Sequence, residues 1–245
     1  MKGRRSAFPI KAVVATLIFG ILLSALLYLG YALANLDFFK IRYIISSRDN
    51  PIDFSYLQGR NIFKVDLKKE SLRLSGLYPG YKKIKLVRVF PDRIFVNLLE
   101  RKALAYLKLH RYFCVDESLV LFDLPKEMEE VGLTLILGVD RRIYDPTPGA
   151  RVNLKELALA IDIIKEARIN PILRDYQIKT ISVPSLNNAS FSIAGGPEVK
   201  ISGNDIKSKI AILSSLVNQE KNNLGSIRYI DLRFREPVIK LKSAD

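Results

Sequence analysis

The chain has 245 residues, 39 Lys and Arg against 25 Asp and Glu, and a formal charge of +14 at pH 7. One cysteine (Cys114) and one histidine (His110) exclude an intramolecular disulfide and argue against a metal site built from those side chains. In a cytoplasmic protein this charge would point to nucleic acid, but the opening segment argues for a different compartment.

Residues 12–34, AVVATLIFGILLSALLYLGYALA, run for 23 positions without a charged side chain. As a helix they span roughly 35 Å, enough for a hydrocarbon core of about 30 Å. The run predicts one transmembrane helix. A secretory signal also starts basic and apolar, and Ala32-Leu33-Ala34 matches its cleavage pattern, but its apolar stretch is usually about 7–15 residues. A buried soluble helix seldom stays apolar on every face for this long. Lys2, Arg4, Arg5 and Lys11 in an acid-free tail put residues 1–11 in the cytoplasm by the positive-inside rule. Lys40, Arg42 and Arg48 on the far side weaken that bias. Tyr28 and Tyr31 fit an aromatic belt. The basic remainder then lies outside the cytoplasm, where nucleic acid is not a partner. Acidic polymers or lipid headgroups suit it there, as does a plain solvated surface.

From Phe38 the pattern becomes strand-like, with Phe39, Ile41, Tyr43 and Ile45 alternating with Lys40 and Arg42. Residues 47–51 break it. A short helix is predicted over 53–58, ended by Gly59. A second runs from Leu67 to about Leu77, capped by Asp66, with Leu67, Leu72, Leu74 and Leu77 on its apolar side. Tyr78-Pro79-Gly80 turns into strands at 82–90 and 93–100, joined at Pro91-Asp92. This β-α-α-β-β order resembles the POTRA domain, a small module that follows a membrane anchor or precedes an outer-membrane barrel. A generic small α+β domain fits the pattern equally.

A second region begins near Lys102. Strands are predicted at 103–108, 112–115, 119–122 and 133–137, with a turn at Asp116-Glu117-Ser118. Asn153 is the expected cap of a helix over 154–168, with Leu154, Leu157, Ala158, Ile161 and Ile164 inward and Lys165 and Arg168 at its C-terminal end. Further strands are expected at 177–183, 189–194 and 198–201. A helix capped by Asn204 or Asp205 then runs to about Val217, with Ile206, Ile210, Leu213 and Val217 inward. The last strands are predicted at 227–234 and 238–242. The expected class is α+β: a single N-terminal transmembrane helix, a POTRA-like domain over 35–102, and a mixed, mainly antiparallel β domain with two helices over 103–245.

Several phrases stand in a recognisable order. Phe38-Phe39-Lys40-Ile41 follows the anchor, then Asn61-Ile62-Phe63-Lys64-Val65-Asp66 and Val87-Arg88-Val89-Phe90-Pro91-Asp92-Arg93-Ile94. After them come Leu99-Glu100-Arg101-Lys102-Ala103-Leu104-Ala105, Tyr112-Phe113-Cys114-Val115-Asp116-Glu117 and Tyr229-Ile230-Asp231-Leu232-Arg233-Phe234. Together they resemble the FtsQ/DivIB family of bacterial cell-division proteins along the whole chain. Ser46-Ser47-Arg48-Asp49 stands where the family often has Gly-Asn, and Arg235-Glu236-Pro237 where it usually has a polar or Gly turn. The resemblance implies a non-enzymatic scaffold of the divisome in the cytoplasmic (inner) membrane at the division septum. It would bind FtsB-like and FtsL-like proteins, among other divisome members, outside the cytoplasm, with no cofactor, metal or small-molecule substrate. In such proteins a partner segment adds to the edge of the last strand. The matching positions are Val238, Ile239, Lys240 and Leu241, with Tyr229, Arg233 and Phe234 before them.

The residues also permit other readings. Pro237, Lys240 and Lys242 could be the ordinary guards of an edge strand. A membrane-anchored cell-wall hydrolase shares this location. His110 and Cys114 could form a base and thiol, but along one strand they stand about 13 Å apart. Glu127, Glu129 and Glu130 lack the fixed spacing of a glycosidase pair across a cleft. Glu100-Arg101 could be an ion pair or a solvated strand end. Gly195-Gly196-Pro197 reads as a turn, since no Lys-Ser/Thr follows. The runs needed for a barrel transporter are missing.

Overall fold

The computed structural model describes residues 10–34, 36–46, 52–123 and 132–242. Helix α1, Ile10–Ala34, begins two residues before the uncharged run and so takes Lys11 into its first turn. Its window Val13–Leu33 is long and apolar enough to cross a membrane and is entirely unburied by protein. Lys2, Arg4 and Arg5, like Arg48 and the predicted break at 47–51, lie outside the described residues.

The chain divides into two units, Met1–Leu74 with Lys83–Leu99, and Ser75–Lys82 with Glu100–Asp245. Strands β1 (Tyr43–Ser46), β2 (Tyr81–Val89) and β3 (Arg93–Glu100) make a sheet in the order β1-β3-β2. Strand β1 runs parallel to β3, Tyr43 opposite Arg93 and Ser46 opposite Val96. Between β1 and β2 lie a 3-10 turn, Ser55–Leu57, and helix α2, Leu67–Leu77. Asp66 caps α2 as expected: its Oδ1 accepts from the Lys68 and Lys69 N–H groups at 3.1 and 3.0 Å.

Three expectations fail in this region. The helix expected over 53–58 is only the 3-10 turn, because the Asp53 carboxylate ties up the Ser55 N–H and hydroxyl within two residues. On α2, Leu67 and Leu74 are buried while Leu72 and Leu77 are exposed. The strand expected from Phe38 starts only at Tyr43, and its buried side is inverted. Ile41 is buried in a separate ladder with residues 59–60, made by Ile41 N–H to Arg60 C=O and Gly59 N–H to Ile41 C=O. The Arg42 and Tyr43 N–H groups then share the Asp92 carbonyl. Beyond that shared contact Tyr43 and Ile45 are exposed and Ile44 is half-buried.

The larger sheet has nine strands: β4 (Ala105–Lys108), β5 (Tyr112–Val115), β6 (Leu121–Phe122), β7 (Thr134–Leu137), β8 (Ile178–Ser185), β9 (Asn188–Ile193), β10 (Glu198–Ile201), β11 (Ile227–Asp231) and β12 (Val238–Leu241). Their order is β12-β11-β10-β9-β8-β7-β4-β5-β6. Three pairs are parallel, β10–β11, β7–β8 and β4–β7, and the other five are antiparallel. Parallel neighbours need a crossover. Helix α3, Lys155–Ile169, supplies it between β7 and β8, and α4, Ile206–Gln219, between β10 and β11. Leu157, Ile161 and Ile164 of α3 and Ile210, Leu213 and Val217 of α4 share one core with Ile136, Ile181, Phe191, Val199 and Ile230. That core covers one sheet face. Strand alternation leaves Thr180, Ser182, Ser190 and Lys200 on the other.

The expected caps do not form. Leu154, not Asn153, precedes α3, and Asp205 before α4 is left-handed (φ 53°) with no side-chain cap on the helix N–H groups. Strand β11 stops at Asp231, short of the expected Phe234, because Asp231 and Arg233 pair and turn the chain.

Candidate partner-binding edge

β11 and β12 form the last hairpin, with Asp231 opposite Val238, Ile230 opposite Ile239, Tyr229 opposite Lys240 and Ile227 opposite Leu241. All four β12 residues are exposed. Lys242 N–H donates to the Ser226 carbonyl at 2.8 Å, so its backbone faces β11. Alternation turns the backbone of Lys240 and Val238 inward too, and points the N–H and C=O groups of Ile239 and Leu241 away from the sheet. The other neighbour of β11 agrees: Leu232 N–H donates to Lys200 C=O on the β10 side, one residue after Asp231. At its free edge β12 offers unpaired main-chain groups at two alternate positions.

The opposite edge of the sheet is covered. Gly149 N–H donates to Leu121 C=O at 2.7 Å, Leu121 N–H to Ala150 C=O at 2.9 Å, and Val152 N–H to Leu119 C=O at 2.9 Å. Gly149 takes φ +89°, where a side chain would be strained.

Side chains shape the open edge. Ile239 and Leu241 share a face with the buried Ile230 and Ile227, so they continue the apolar core outward as an exposed stripe. On the other face Lys240 stands opposite Tyr229, whose ring lies 4.4 Å from the Lys200 ammonium. Phe234, in the turn, is 62% exposed with the Arg233 guanidinium 5.9 Å from its ring. Beside it a hollow of about 350 Å³ is lined by Lys209, Ile212, Leu232, Phe234 and Pro237, among others. Lys209 is buried, and its ammonium donates to Ser202 Oγ at 2.5 Å and Asn204 Oδ1 at 2.7 Å. Burial pushes that ammonium below the usual lysine pKa. The helical pattern of α4 gave no sign of this role, because Lys209 sits where a polar surface residue is expected.

Of the seven residues expected at a partner surface, Tyr229 and the four strand residues lie together on the hairpin, and Phe234 stands at its turn. Arg233 is occupied within the protein. Its Nε and one terminal nitrogen reach the buried Asp231 carboxylate at 2.9 and 2.7 Å, and the other terminal nitrogen reaches Asn188 Oδ1 at 3.3 Å. Arg233 therefore positions the turn. Its hydrogen bonds hold the Asp231 carboxyl below the ordinary aspartate value of 3.8. Because the folded pKa is depressed, this stabilisation is complete above 3.8 and is lost as pH falls through the lower folded value. Chemical denaturation across the acid range should show a shallower loss of stability in Asp231→Asn than in the parent. Acid limbs of equal slope would refute the linkage.

Among the described residues, His110 and Cys114 do not come together as a base and thiol. Cys114 is buried on β5 beside Ala103 and Phe122, while His110 is exposed in the β4–β5 turn with its ring against Phe113 at 5.6 Å. Glu127, Glu129 and Glu130 lie outside the described residues. The Arg101 guanidinium pairs with Asp116. Gly195 takes φ +74° in a turn between β9 and β10.

No family model matches the chain. Three proteins named cell division protein FtsQ do. That of Syntrophotalea carbinolica is 24% identical over 235 residues, 92% of this chain and 82% of the relative. That of Geotalea daltonii is 22% identical over 237 residues, 90% and 84%. That of Myxococcus fulvus is 26% identical over 190 residues, 76% and 64%. These matches, over 76–92% of the chain, support membership of the FtsQ family. The same matches support a role in cell division, and among the described residues one helix, at the N-terminus, is apolar and long enough to fit a transmembrane anchor.

Proposed function

We propose that this chain is a non-enzymatic, single-pass scaffold of the divisome. An FtsB-like partner, with an FtsL-like protein in the same assembly, adds a strand to β12 outside the cytoplasm. Residues 1–11 form the cytoplasmic tail, 12–34 the anchor, 35–102 a POTRA-like domain and 103–245 the FtsQ-type β domain, at the septum of the cytoplasmic membrane. The observation that carries this reading is the asymmetry of the large sheet. The β6 edge is closed by residues 149–152, whereas the β12 edge presents the main-chain groups of Ile239 and Leu241 beside an exposed apolar stripe. Strand addition needs that combination: backbone groups supply the affinity and alternate side chains the selectivity. The direct experiment titrates the full chain in detergent with the extracytoplasmic segment of an FtsB-like protein, and follows protection of the Ile239 and Leu241 amides from hydrogen exchange. Protection of both supports strand addition. Binding without it places the contact elsewhere.

The orientation has its own test. A reporter active only after export, fused beyond Asp245, should be active, and a reporter active only in the cytoplasm should be silent there. The reverse pattern would overturn the topology.

A further inference from the structure

Four phenylalanines from three separate stretches of sequence meet just beyond the anchor. Phe38 and Phe39 meet edge-on with ring centres 5.2 Å apart, Phe39 and Phe63 edge-on at 5.1 Å, and Phe63 and Phe90 tilted at 5.4 Å. Phe38 is 59% exposed, Phe63 46% and Phe90 57%. A row of rings this open is an apolar patch that wants a partner.

Main-chain hydrogen bonds hold the row together. Ile62 N–H donates to Phe39 C=O at 2.9 Å, and Ile41 N–H to Arg60 C=O at 2.9 Å, which ties the loop carrying Phe63 to the segment leaving the anchor. Arg88 clamps the same loop, reaching the Ile62 and Val65 carbonyls at 2.9 and 2.6 Å. Arg42 N–H donates to Asp92 C=O at 2.8 Å and so fixes the turn that carries Phe90. All these residues belong to one compact unit.

The occupant follows from the chain's own path. Helix α1 ends at Ala34 and Phe38 comes four residues later. Even fully extended, that stretch reaches no more than about 14 Å. It is in fact shorter, since Leu36 N–H turns back to the Leu33 carbonyl at 3.2 Å. A spanning α1 therefore keeps Phe38 at the headgroup layer, where Phe side chains of a surface-bound face can bury into the headgroup/acyl boundary. Exposed cations surround the row: Lys40, Arg42, Arg60 and Lys64. Of the exposed acids close in sequence, Asp37 is paired with Lys40 at 2.9 Å, a partner that holds its carboxyl below the usual range, and Asp66 is engaged as the cap of α2. Basic residues next to a membrane anchor are attracted to anionic lipid.

We propose that Phe38, Phe63 and Phe90 form a membrane-docking row, seated in the anionic phospholipid headgroup layer of the bilayer that α1 spans. This inference rests on the anchor reading above. It gives the unit that follows the anchor a second attachment to the membrane, one that would hold it against the surface.

The chain contains no tryptophan, so single tryptophans report without background. The full chain would be reconstituted in phosphatidylcholine vesicles with and without about one-third phosphatidylglycerol. Four variants carry the probe: Phe63→Trp and Phe90→Trp in the row, Phe19→Trp within α1, and Tyr144→Trp at an exposed position of the other unit. The row variants should emit to the blue of Tyr144→Trp. They should be quenched by bromine near the acyl-chain top and shielded from aqueous acrylamide, more so with phosphatidylglycerol. Adding Arg60→Glu and Lys64→Glu to Phe63→Trp should remove the phosphatidylglycerol dependence. If Phe63→Trp and Phe90→Trp behave like Tyr144→Trp while Phe19→Trp is quenched by bromine deep in the bilayer, the docking proposal is wrong and the anchor stands. If Phe19→Trp escapes quenching too, the anchor reading fails and the docking proposal falls with it.

Discussion

Replacing Ile239 with proline should weaken binding of an FtsB-like segment by tenfold or more, roughly 1.4 kcal/mol, and leave the protein folded. The Ile239 N–H points away from β11, so the fold loses no ladder bond when it goes. An incoming strand loses that donor and meets the proline ring at the same point. Val238, before it, is already extended, the conformation a following proline demands. Lys240→Pro is the instructive contrast. Its N–H faces β11, so proline there should lower stability as well as affinity. Phe234→Asp tests the side-chain contribution: Phe234 is exposed in the free protein, so a charge costs the fold little, but burying it against a partner should cost a few kcal/mol. Calorimetric titration with the partner segment reads affinity, and circular dichroism reads the fold. If Ile239→Pro and Phe234→Asp bind as tightly as the parent, β12 is not the docking edge, and the POTRA-like region becomes the next candidate.

How much of this edge was legible in the sequence follows from range. Strands β3, β5 and β10 fall at the expected residues because alternation and bounding turns are local signals. The α+β class, the apolar helix, the inward Ile210, Leu213 and Val217 of α4 and part of the inward face of α3 (Leu157, Ile161, Ile164) were legible for the same reason, whereas Ala158 is only half-buried and Leu159, Ala160, Ile163 and Ala167 join the core unexpected. The inverted side of β1 was not legible. Its periodicity continues through Arg42 and Tyr43, yet the chain changes hydrogen-bond partner there, from residues 59–60 to β3. The failed caps at Asn153 and Asp205 show the same limit, since tertiary packing of α3 and α4 makes side-chain capping dispensable. Sheet order is wholly long-range, and nothing in β12 itself says that it ends the sheet. That expectation came from the terminal motif, while the outward direction of the Ile239 and Leu241 backbone required the β11–β12 register. Arg233 was expected to face a partner, and only the structure shows its guanidinium committed to Asp231.

The second large effect concerns Asp116, which the sequence offered only as part of a turn. It is 2% exposed, and both carboxylate oxygens are engaged. Oδ2 accepts from Arg101 at 2.5 Å, and Oδ1 accepts from the Ser118 and Val120 N–H groups at 2.9 and 3.0 Å. These bonds close a turn tight enough to force Leu119 to φ +61°. Arg101 also donates from Nε to the Pro79 carbonyl at 2.9 Å, so one ion pair joins the β5–β6 turn to the segment entering β2. Asp116→Ala leaves a largely buried guanidinium without its counter-charge and two N–H groups without an acceptor. Breaking a buried pair from one side costs about 3–5 kcal/mol, a large share of a typical domain stability of about 5–15 kcal/mol. The denaturation midpoint should fall accordingly. Asp116→Asn keeps an oxygen for the two N–H groups and should lose less. Arg101→Met combined with Asp116→Asn should cost less than the two single changes added together, because no charge is then stranded. The pair lies near the covered edge of the sheet, so partner binding should survive in whatever fraction stays folded. Additive losses in that cycle would mean the pair contributes by packing and turn geometry, and that its charge does little for the fold.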